Sequence, residues 1–329
     1  MSSDERTPEM EKDLHVVFGA GQIGSLVAEE LRDQGFRVRV AKRSSSGIPD
    51  GVERILGDAT DPLFCREAAA GASAVYHCMN PPYRTDLWRN ILPRLQENLL
   101  EAAGAADARL VVMENLYMLG EGDGGPLTEE TPLDPMSKKG EIRARLTEDL
   151  FAAHRKGEAR VVSGRASDFY GPGGTETHFG AHFWPPVLAG KPGPFLPNPD
   201  TPHTYHFIPD VARGLVTLGL APEEKLGRPW MLPCAPAETS RDLVNRFSRV
   251  LGKDIQLRGA PKLIQKILGL FSPMFRELGE MLHQWEVPFV VDDTRFRATF
   301  DARPTDPEVG AADTIAWVLA TYGKEGGQS

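Results

Sequence analysis

Cysteine is scarce in this sequence: three in 329 residues, at Cys65, Cys78 and Cys234. They are far apart, with no Cys-x-x-Cys and no metal-ligand spacing, which excludes a disulfide framework and a thiolate zinc site. Long apolar runs are also missing. No stretch approaches the ~18 residues that a transmembrane helix requires. Residues 1–10, MSSDERTPEM, are polar and acidic with no apolar centre, unlike a signal peptide. Positive charge is in deficit, with 37 Lys and Arg against 46 Asp and Glu, a net −9. A nucleic-acid or anionic-membrane surface would have to overcome that repulsion. No internal repeat or low-complexity segment occurs. The expectation from these absences is a reduced, cytoplasmic, globular protein, monomer or homodimer, whose partner is a small molecule.

What is present is alternation of short apolar runs with helical spacing. Leu14–Phe18 is a buried strand that stops at glycine, and Ser25–Gln34 follows with Leu26, Val27 and Leu31 on one helical face. Further strands are expected at Phe36–Val40, Ile55–Leu56, Ala74–Cys78, Arg109–Met113 and Ala159–Val162. Helices are expected at Arg66–Ala70, Leu95–Ala106 and about Lys138–Lys156. This order predicts βαβ units and an α/β fold, a doubly wound parallel sheet of Rossmann type, over residues 12–170. Residues 1–11 are expected to be a disordered tail. From Gly171 the chain becomes dense in Gly, Pro, His and aromatics. It is expected to return to the first domain at about 203–236, with 171–202 and 237–329 forming a smaller, mainly helical substrate lobe. In that lobe Thr239 or Ser240 can cap a helix running to Leu251, and two more helices are expected near Pro261–Leu270 and Pro273–Gln284. An apolar stripe at Phe275, Leu278, Leu282 and Trp285 reads as lobe core.

Gly19-Ala-Gly-Gln-Ile-Gly24 carries the first chemistry. It follows a strand and opens a helix, the setting in which this pattern binds a dinucleotide. Gly19 permits the tight turn, Gly21 lets the backbone approach the pyrophosphate, and Gly24 lets helix and strand pack closely. Gln22 and Ile23 bring N–H groups to the helix N-terminus, where the pyrophosphate sits. A second absence then bears on the cofactor. NAD enzymes place Asp or Glu ~20 residues past the first glycines to bind the ribose 2′-hydroxyl. Here the region reads Lys42-Arg43-Ser44, with no carboxylate. Two cations and a hydroxyl suit a 2′-phosphate, so NADP is the expected cofactor; the alternative is a solvated basic turn.

With these motifs the sequence resembles the extended branch of the short-chain dehydrogenase/reductase superfamily, the epimerase/dehydratase-like proteins. The resemblance covers about residues 14–320. It rests on GAGQIG, on Gly57-Asp-Ala-Thr-Asp61, on Arg165-Ala-Ser-Asp-Phe-Tyr-Gly-Pro172 and on Tyr205-His-Phe-Ile-Pro-Asp-Val-Ala212. It implies that Asp58 and Ala59 approach the adenine, that Cys78, Met79 and Asn80 line the cofactor, and that Ala166 and Ser167 lie by the nicotinamide. It also exposes a departure. Such proteins carry Ser or Thr after the fifth strand and Tyr-x-x-x-Lys on the next helix, whose spacing stacks both side chains on one face. Here Asn115 stands at the Ser/Thr position, and Lys139-Gly-Glu-Ile-Arg143 lies over Tyr-x-x-x-Lys.

The chemistry left to these residues divides unevenly. Arg143 suits the ribose hydroxyls but cannot be an acid, because its pKa stays above ~12. Lys139, beside that cation, is expected to have a depressed pKa and to shuttle protons. Tyr117, two positions past Asn115, is the other candidate proton donor, with Asn115 orienting the oxygen. The alternative makes Tyr117 a pocket wall and Lys139 and Arg143 solvated charges. His178 and His182 at i, i+4, with His203 and His206 beyond, read as substrate-facing or surface groups, and no metal is expected. The expected function is an NADP(H)-dependent oxidoreductase or epimerase-like enzyme on a small hydroxyl- or carbonyl-bearing metabolite. The alternative is a redox-silent NADP(H)-binding sensor or scaffold.

Overall fold

A computed structural model describes residues 13–121, 124–195, 197–259, 277 and 279–323. The expected disordered tail, the helix near Pro261–Leu270 and five of the twelve residues expected as a helix near Pro273–Gln284 lie outside the described residues; of the rest, Glu277 and Gly279 are helical, and a turn then leads into a 3₁₀ helix, Leu282–Trp285, rather than one continuous α-helix.

Leu14–Phe18 forms β1 with all five residues buried. A strand hydrophobic on both faces can only sit at the centre of a sheet covered on both sides, and this one does. The other strands are β2 (Arg37–Lys42), β3 (Glu53–Leu56), β4 (Ala72–His77), β5 (Arg109–Glu114) and β6 (Arg160–Arg165), joined by a seventh, Pro229–Met231. The seven pair in the order Pro229–Met231, β6, β5, β4, β1, β2, β3, all in parallel. Strand order reverses between β1 and β4, and ligands bind at the carboxyl edge of that switch point.

Helices cover both faces. On one, α1 (Gly24–Asp33) and the helix Ile208–Leu220 pack Val27, Leu31, Val211 and Leu215 against Val17, Val40 and Val111. On the other, α2 (Pro62–Ala69), α3 (Thr85–Ala105) and α4 (Lys138–Arg155) pack Ala68, Leu99 and Leu150 against Val16, Phe18 and Val75. Two helices start earlier than the sequence pattern suggests. Asp61 caps α2 through Leu63 N–H, with Pro62 at its first position. α3 carries Pro93 in its interior, so a reading that treats proline as a breaker starts the helix only after it.

The second lobe has its own core. Phe179, Phe183, Trp184, Phe195 and Phe247 are all 3% exposed or less. The aromatics between Phe179 and Phe195 are therefore lobe core. Ser240–Leu251 begins at a capping box between Thr239 and Asp242 and packs on Pro307–Tyr322. Thr294–Phe300 instead lies against Trp230 of the central sheet. No helix of the described residues is long and apolar enough to cross a membrane.

Candidate dinucleotide and substrate site

The glycine turn after β1 has the geometry its chemistry demands. Gly19 has φ +91°, a left-handed conformation, and Gly24 approaches it so closely that a Cβ would lie 1.8 Å from the Gly19 carbonyl oxygen. Gly21 is the reverse: a Cβ there would meet no atom within 4 Å among the described residues. Among the described residues nothing crowds position 21, so a larger side chain would meet only open space there. The first turn of α1 has no side-chain cap and no acidic residue. The adjoining Gln22 Oε1 is buried without a partner among the described residues. An uncapped helix N-terminus with open space before it suits a pyrophosphate.

At the end of β2 the basic residues split in role. The Lys42 ammonium donates to the Ser46 carbonyl at 2.5 Å and to the Ala20 carbonyl at 3.4 Å, closing the turn. Arg43 and Ser44 are exposed, and Ser44 Oγ lies 3.1 Å from Ser46 Oγ. Asp58 Oδ1 accepts from Thr60 N–H and Oγ1–H, each at 2.9 Å. The Thr60 N–H, then the Thr60 hydroxyl and the Arg43 charge, hold the Asp58 carboxyl below its usual range. Ala59 is buried, its carbonyl accepting from Asn98 Nδ2 at 2.9 Å. Burial pushes the Cys78 thiol up to about 12, so it is an uncharged wall. Met79 N–H donates to His77 Nδ1 at 3.3 Å.

Past the carboxyl end of β4 the structure brings together residues far apart in sequence. Arg143 donates from Nη2 to Asn80 Oδ1 at 2.9 Å, with its guanidinium 4.9 Å above the Trp88 ring. Tyr117 opens a single turn of 3₁₀ helix, Tyr117–Leu119, which α4 can approach because a Cβ on Gly140 would lie 2.5 Å from the Tyr117 carbonyl. The Tyr117 ring stacks on Trp88 at 6.0 Å, and its hydroxyl accepts from Tyr83 Oη–H at 3.3 Å. Burial, then the Asp168 charge, push the Tyr117 hydroxyl above its ordinary value, while Tyr83 and Arg143 oppose them. Asn115 Oδ1 accepts from the Tyr117 N–H at 3.4 Å.

The Lys139 ammonium lies 4.3 Å above the Tyr83 ring. Its side chain is fully buried and pairs with Glu277 and, at 3.4 Å, with Glu280. It faces these carboxylates rather than Arg143. Glu277 also accepts from the Thr85 hydroxyl at 2.8 Å. Burial alone would raise the Glu277 carboxyl, but Lys139 and Thr85 outweigh it and hold it low. Glu277, Glu280, Tyr83 and Trp88 escape a reading of the sequence. The only trace of the first two is their i, i+3 spacing, which would put both on one face of the helix expected near Pro273–Gln284.

Two buried clusters fix the strand ends that carry these loops. Glu114 accepts from Thr147 Oγ1 at 2.5 Å, Ser163 Oγ at 2.7 Å and Arg165 Nε at 3.2 Å, tying β5, β6 and α4 together. Ser167 N–H donates to His206 Nδ1 at 3.2 Å, and His206 Nε2 lies 3.1 Å from the Leu232 carbonyl. Burial lowers the His206 pKa to about 4, so the ring is neutral. The Ser167 hydroxyl turns inward to the Thr204 carbonyl. His178 and His182 do not share a helix face, since residues 178–182 form turns and the next helix begins at Trp184. No cluster of described residues has the makings of a metal site.

The model of the NAD-dependent epimerase/dehydratase family matches residues 15–230, well over half of the chain. The chain belongs to that family. Solved structures agree in fold. UDP-glucuronic acid 4-epimerase from Bacillus cereus, in complex with NAD, superposes with a TM-score of 0.74 at 17% identity, covering 94% of this chain and 99% of that one. UDP-glucose 4-epimerase from Thermus thermophilus, also with NAD, gives 0.73 at 19% over the same shares. A protein designated gox2253 gives 0.77 at 20%, covering 95% and 99%. No curated protein matches the chain by sequence. Family membership makes a nicotinamide dinucleotide the cofactor of this extended short-chain dehydrogenase/reductase.

Proposed function

We propose that the chain binds NADP(H) and acts as an oxidoreductase or epimerase-like enzyme on a small hydroxyl- or carbonyl-bearing metabolite. The observation that carries it is the open space before α1 at Gly21, with an exposed Arg43 and no carboxylate at the end of β2. Gly19, Gly21, Gln22, Ile23 and Gly24 would hold the pyrophosphate. Arg43, with Ser44, would hold the 2′-phosphate, while Lys42 braces the turn through its two carbonyl contacts. Asp58 and Ala59 would flank the adenine. Cys78, Met79, Asn80, Arg143 and Ser167 would border the nicotinamide ribose and ring. The bound nicotinamide supplies hydride transfer. Tyr117 would donate a hydrogen bond to the substrate oxygen with Asn115 orienting it, and Lys139 would act through Tyr83.

The second reading, a redox-silent NADP(H)-binding sensor or scaffold, is favoured by one observation. Lys139, at the position the family gives its tyrosine, is sealed in an ion pair. One experiment separates the readings. Calorimetric titration with NADPH and NADH comes first. NADPH oxidation is then followed over a panel of aldehydes, ketones and UDP-sugars. Tight NADPH binding with turnover supports the enzyme, and tight binding without turnover supports the sensor. Failure to bind either nucleotide would end both.

A further inference from the structure

One carboxylate and two histidines meet where the second lobe closes on the sheet edge, and the reading above gives them no task. Asp168 follows Ser167 directly and opens the short strand Asp168–Tyr170, paired in parallel with Tyr205–Phe207. Its Oδ2 lies 2.9 Å from His203 Nε2, and its Oδ1 lies 3.7 Å from His178 Nε2. His203 has a fully buried side chain. Its ring stacks on Trp285 at 4.5 Å and 4°, and on Phe289 at 5.1 Å and 16°, so it cannot turn away from the carboxylate. His178 differs. Its ring rests edge-on against Trp285 at 4.8 Å, yet 28% of the side chain stays exposed. The Asp168 charge also reaches the Tyr117 and Tyr83 hydroxyls. Asp168 is joined directly to Ser167, which the reading above sets beside the nicotinamide.

The geometry points to His178 as the proton acceptor for a substrate alcohol, with Asp168 orienting it and His203 fixing Asp168. This rests on the enzymatic reading above and adds the group that receives the proton. The O–H bond of the alcohol breaks and an N–H bond forms on the imidazole. The oxygen keeps the electron pair, which becomes the second bond of the carbonyl as the hydride leaves carbon. The nicotinamide supplies the hydride acceptor. Asp168 then faces an imidazolium, whose charge it stabilises, as a carboxylate does behind a catalytic histidine. The electrostatics agree. Burial would raise the Asp168 carboxyl, but His203, then His178 and His206, hold it below its usual range and therefore ionised. Burial lowers His178, with Asp168 opposing and His203 adding to the lowering, so it is neutral near pH 7 as a base must be. A separation of 3.7 Å is long for a hydrogen bond, but such contacts commonly tighten once substrate is bound.

The test has two readouts. The first needs no turnover. Histidine-selective NMR titration of the NADPH-loaded chain should show His178 titrating below its ordinary value. Asp168→Asn, which keeps the shape but removes the charge, should move that titration down by roughly one unit. The second follows oxidation of 1-phenylethanol, glucose and UDP-glucose with NADP. His178→Gln should lower kcat/KM by roughly 10²-fold and abolish the acidic limb of its pH profile, with NADPH affinity within about twofold of the parent. Asp168→Asn should shift that limb to lower pH. A His178 titration indifferent to Asp168→Asn, or full activity with an unchanged pH profile in His178→Gln, would overturn the assignment. A parent that binds NADPH but oxidises none of the three alcohols would remove the enzymatic reading and this role with it. A parent that binds no NADPH would point instead to an error in the cofactor site.

Discussion

Gly21 and Gly24 sit three residues apart in one motif, yet the structure assigns their absent side chains opposite consequences. At Gly24 an added Cβ would lie 1.8 Å from the Gly19 carbonyl oxygen, 3.0 Å from the Gly19 carbonyl carbon and 3.1 Å from Cys78 Cβ. The obstacle is backbone, so Gly24→Ala must push α1 away from the turn by more than an ångström. That helix buries Val27, Ala28 and Leu31 completely, and moving it loosens all three. Overpacking of this kind costs about 3 kcal/mol, the upper end of its usual range, which lowers Tm by roughly 5–10 °C in a domain of this size. At Gly21 the space is open, and Gly21→Val should fold with a loss under about 1 kcal/mol. Its three carbons would then stand where the pyrophosphate must lie, weakening NADPH by at least ~10²-fold, or about 2.7 kcal/mol. Thermal melts and NADPH calorimetry on both variants separate the two roles. Undiminished NADPH binding by a folded Gly21→Val would show that the ligand lies elsewhere. A Gly24→Ala melting like the parent would show that the turn has slack.

Three further outcomes are expected. NADPH should bind tighter than NADH by at least ~1.4 kcal/mol, a factor of ten, and Arg43→Asp should narrow or invert the gap; equal affinities in the parent would remove NADP as the cofactor. Tyr117→Phe should lower turnover by roughly 10²-fold with NADPH affinity nearly unchanged, and full activity would rule out its hydroxyl as a donor to substrate. Burial holds His15 at about 4, His77 at about 3 and His206 at about 4, against 6.5 when unfolded. Protons therefore bind the unfolded chain first as pH falls below 6.5, and stability should drop by roughly 1–2 kcal/mol for each histidine by about pH 5. Urea midpoints that stay level between about pH 7 and pH 5 would contradict this.

Much of the first domain is legible because its signals are local. LHVVF buries every residue of β1, GAGQIG lies between that strand and α1, and Thr239 with Asp242 forms the capping box its spacing suggests. Local signals also explain the misplaced helix starts, since Asp61-Pro62 is a cap that reads as a turn and Pro93 is a breaker tolerated inside α3. What the sequence hides is long-range. Lys139 meets Glu277 across 138 positions, and Tyr117 meets Tyr83 across 34. No periodicity reports such a meeting. The aromatics from Phe179 to Phe195 fall in a stretch expected to belong to a substrate lobe and are that lobe's core in space. Large apolar side chains bury themselves whether or not a ligand is nearby.

These long-range contacts change what the departure from Tyr-x-x-x-Lys means. Sequence alone presents two unpaired cations on one face of α4, one of them free to move protons. In the structure Arg143 faces Asn80 and Trp88, while Lys139 is held by two carboxylates and covered by Tyr83. Removing one partner of a buried ion pair strands the other charge at a cost of about 3–5 kcal/mol, so Lys139 is bound to the fold as well as to the site. Tyr117, raised by burial, stays protonated across the working pH range and suits donation of a hydrogen bond rather than ionisation. A donor that does not ionise needs a separate acceptor when an alcohol is oxidised. Beside Asp168, His178 combines a neutral imidazole, partial exposure and a carboxylate behind it. On this reading the family's single tyrosine has been divided in two, with hydrogen-bond donation at the end of β5 and proton acceptance at the edge of the second lobe.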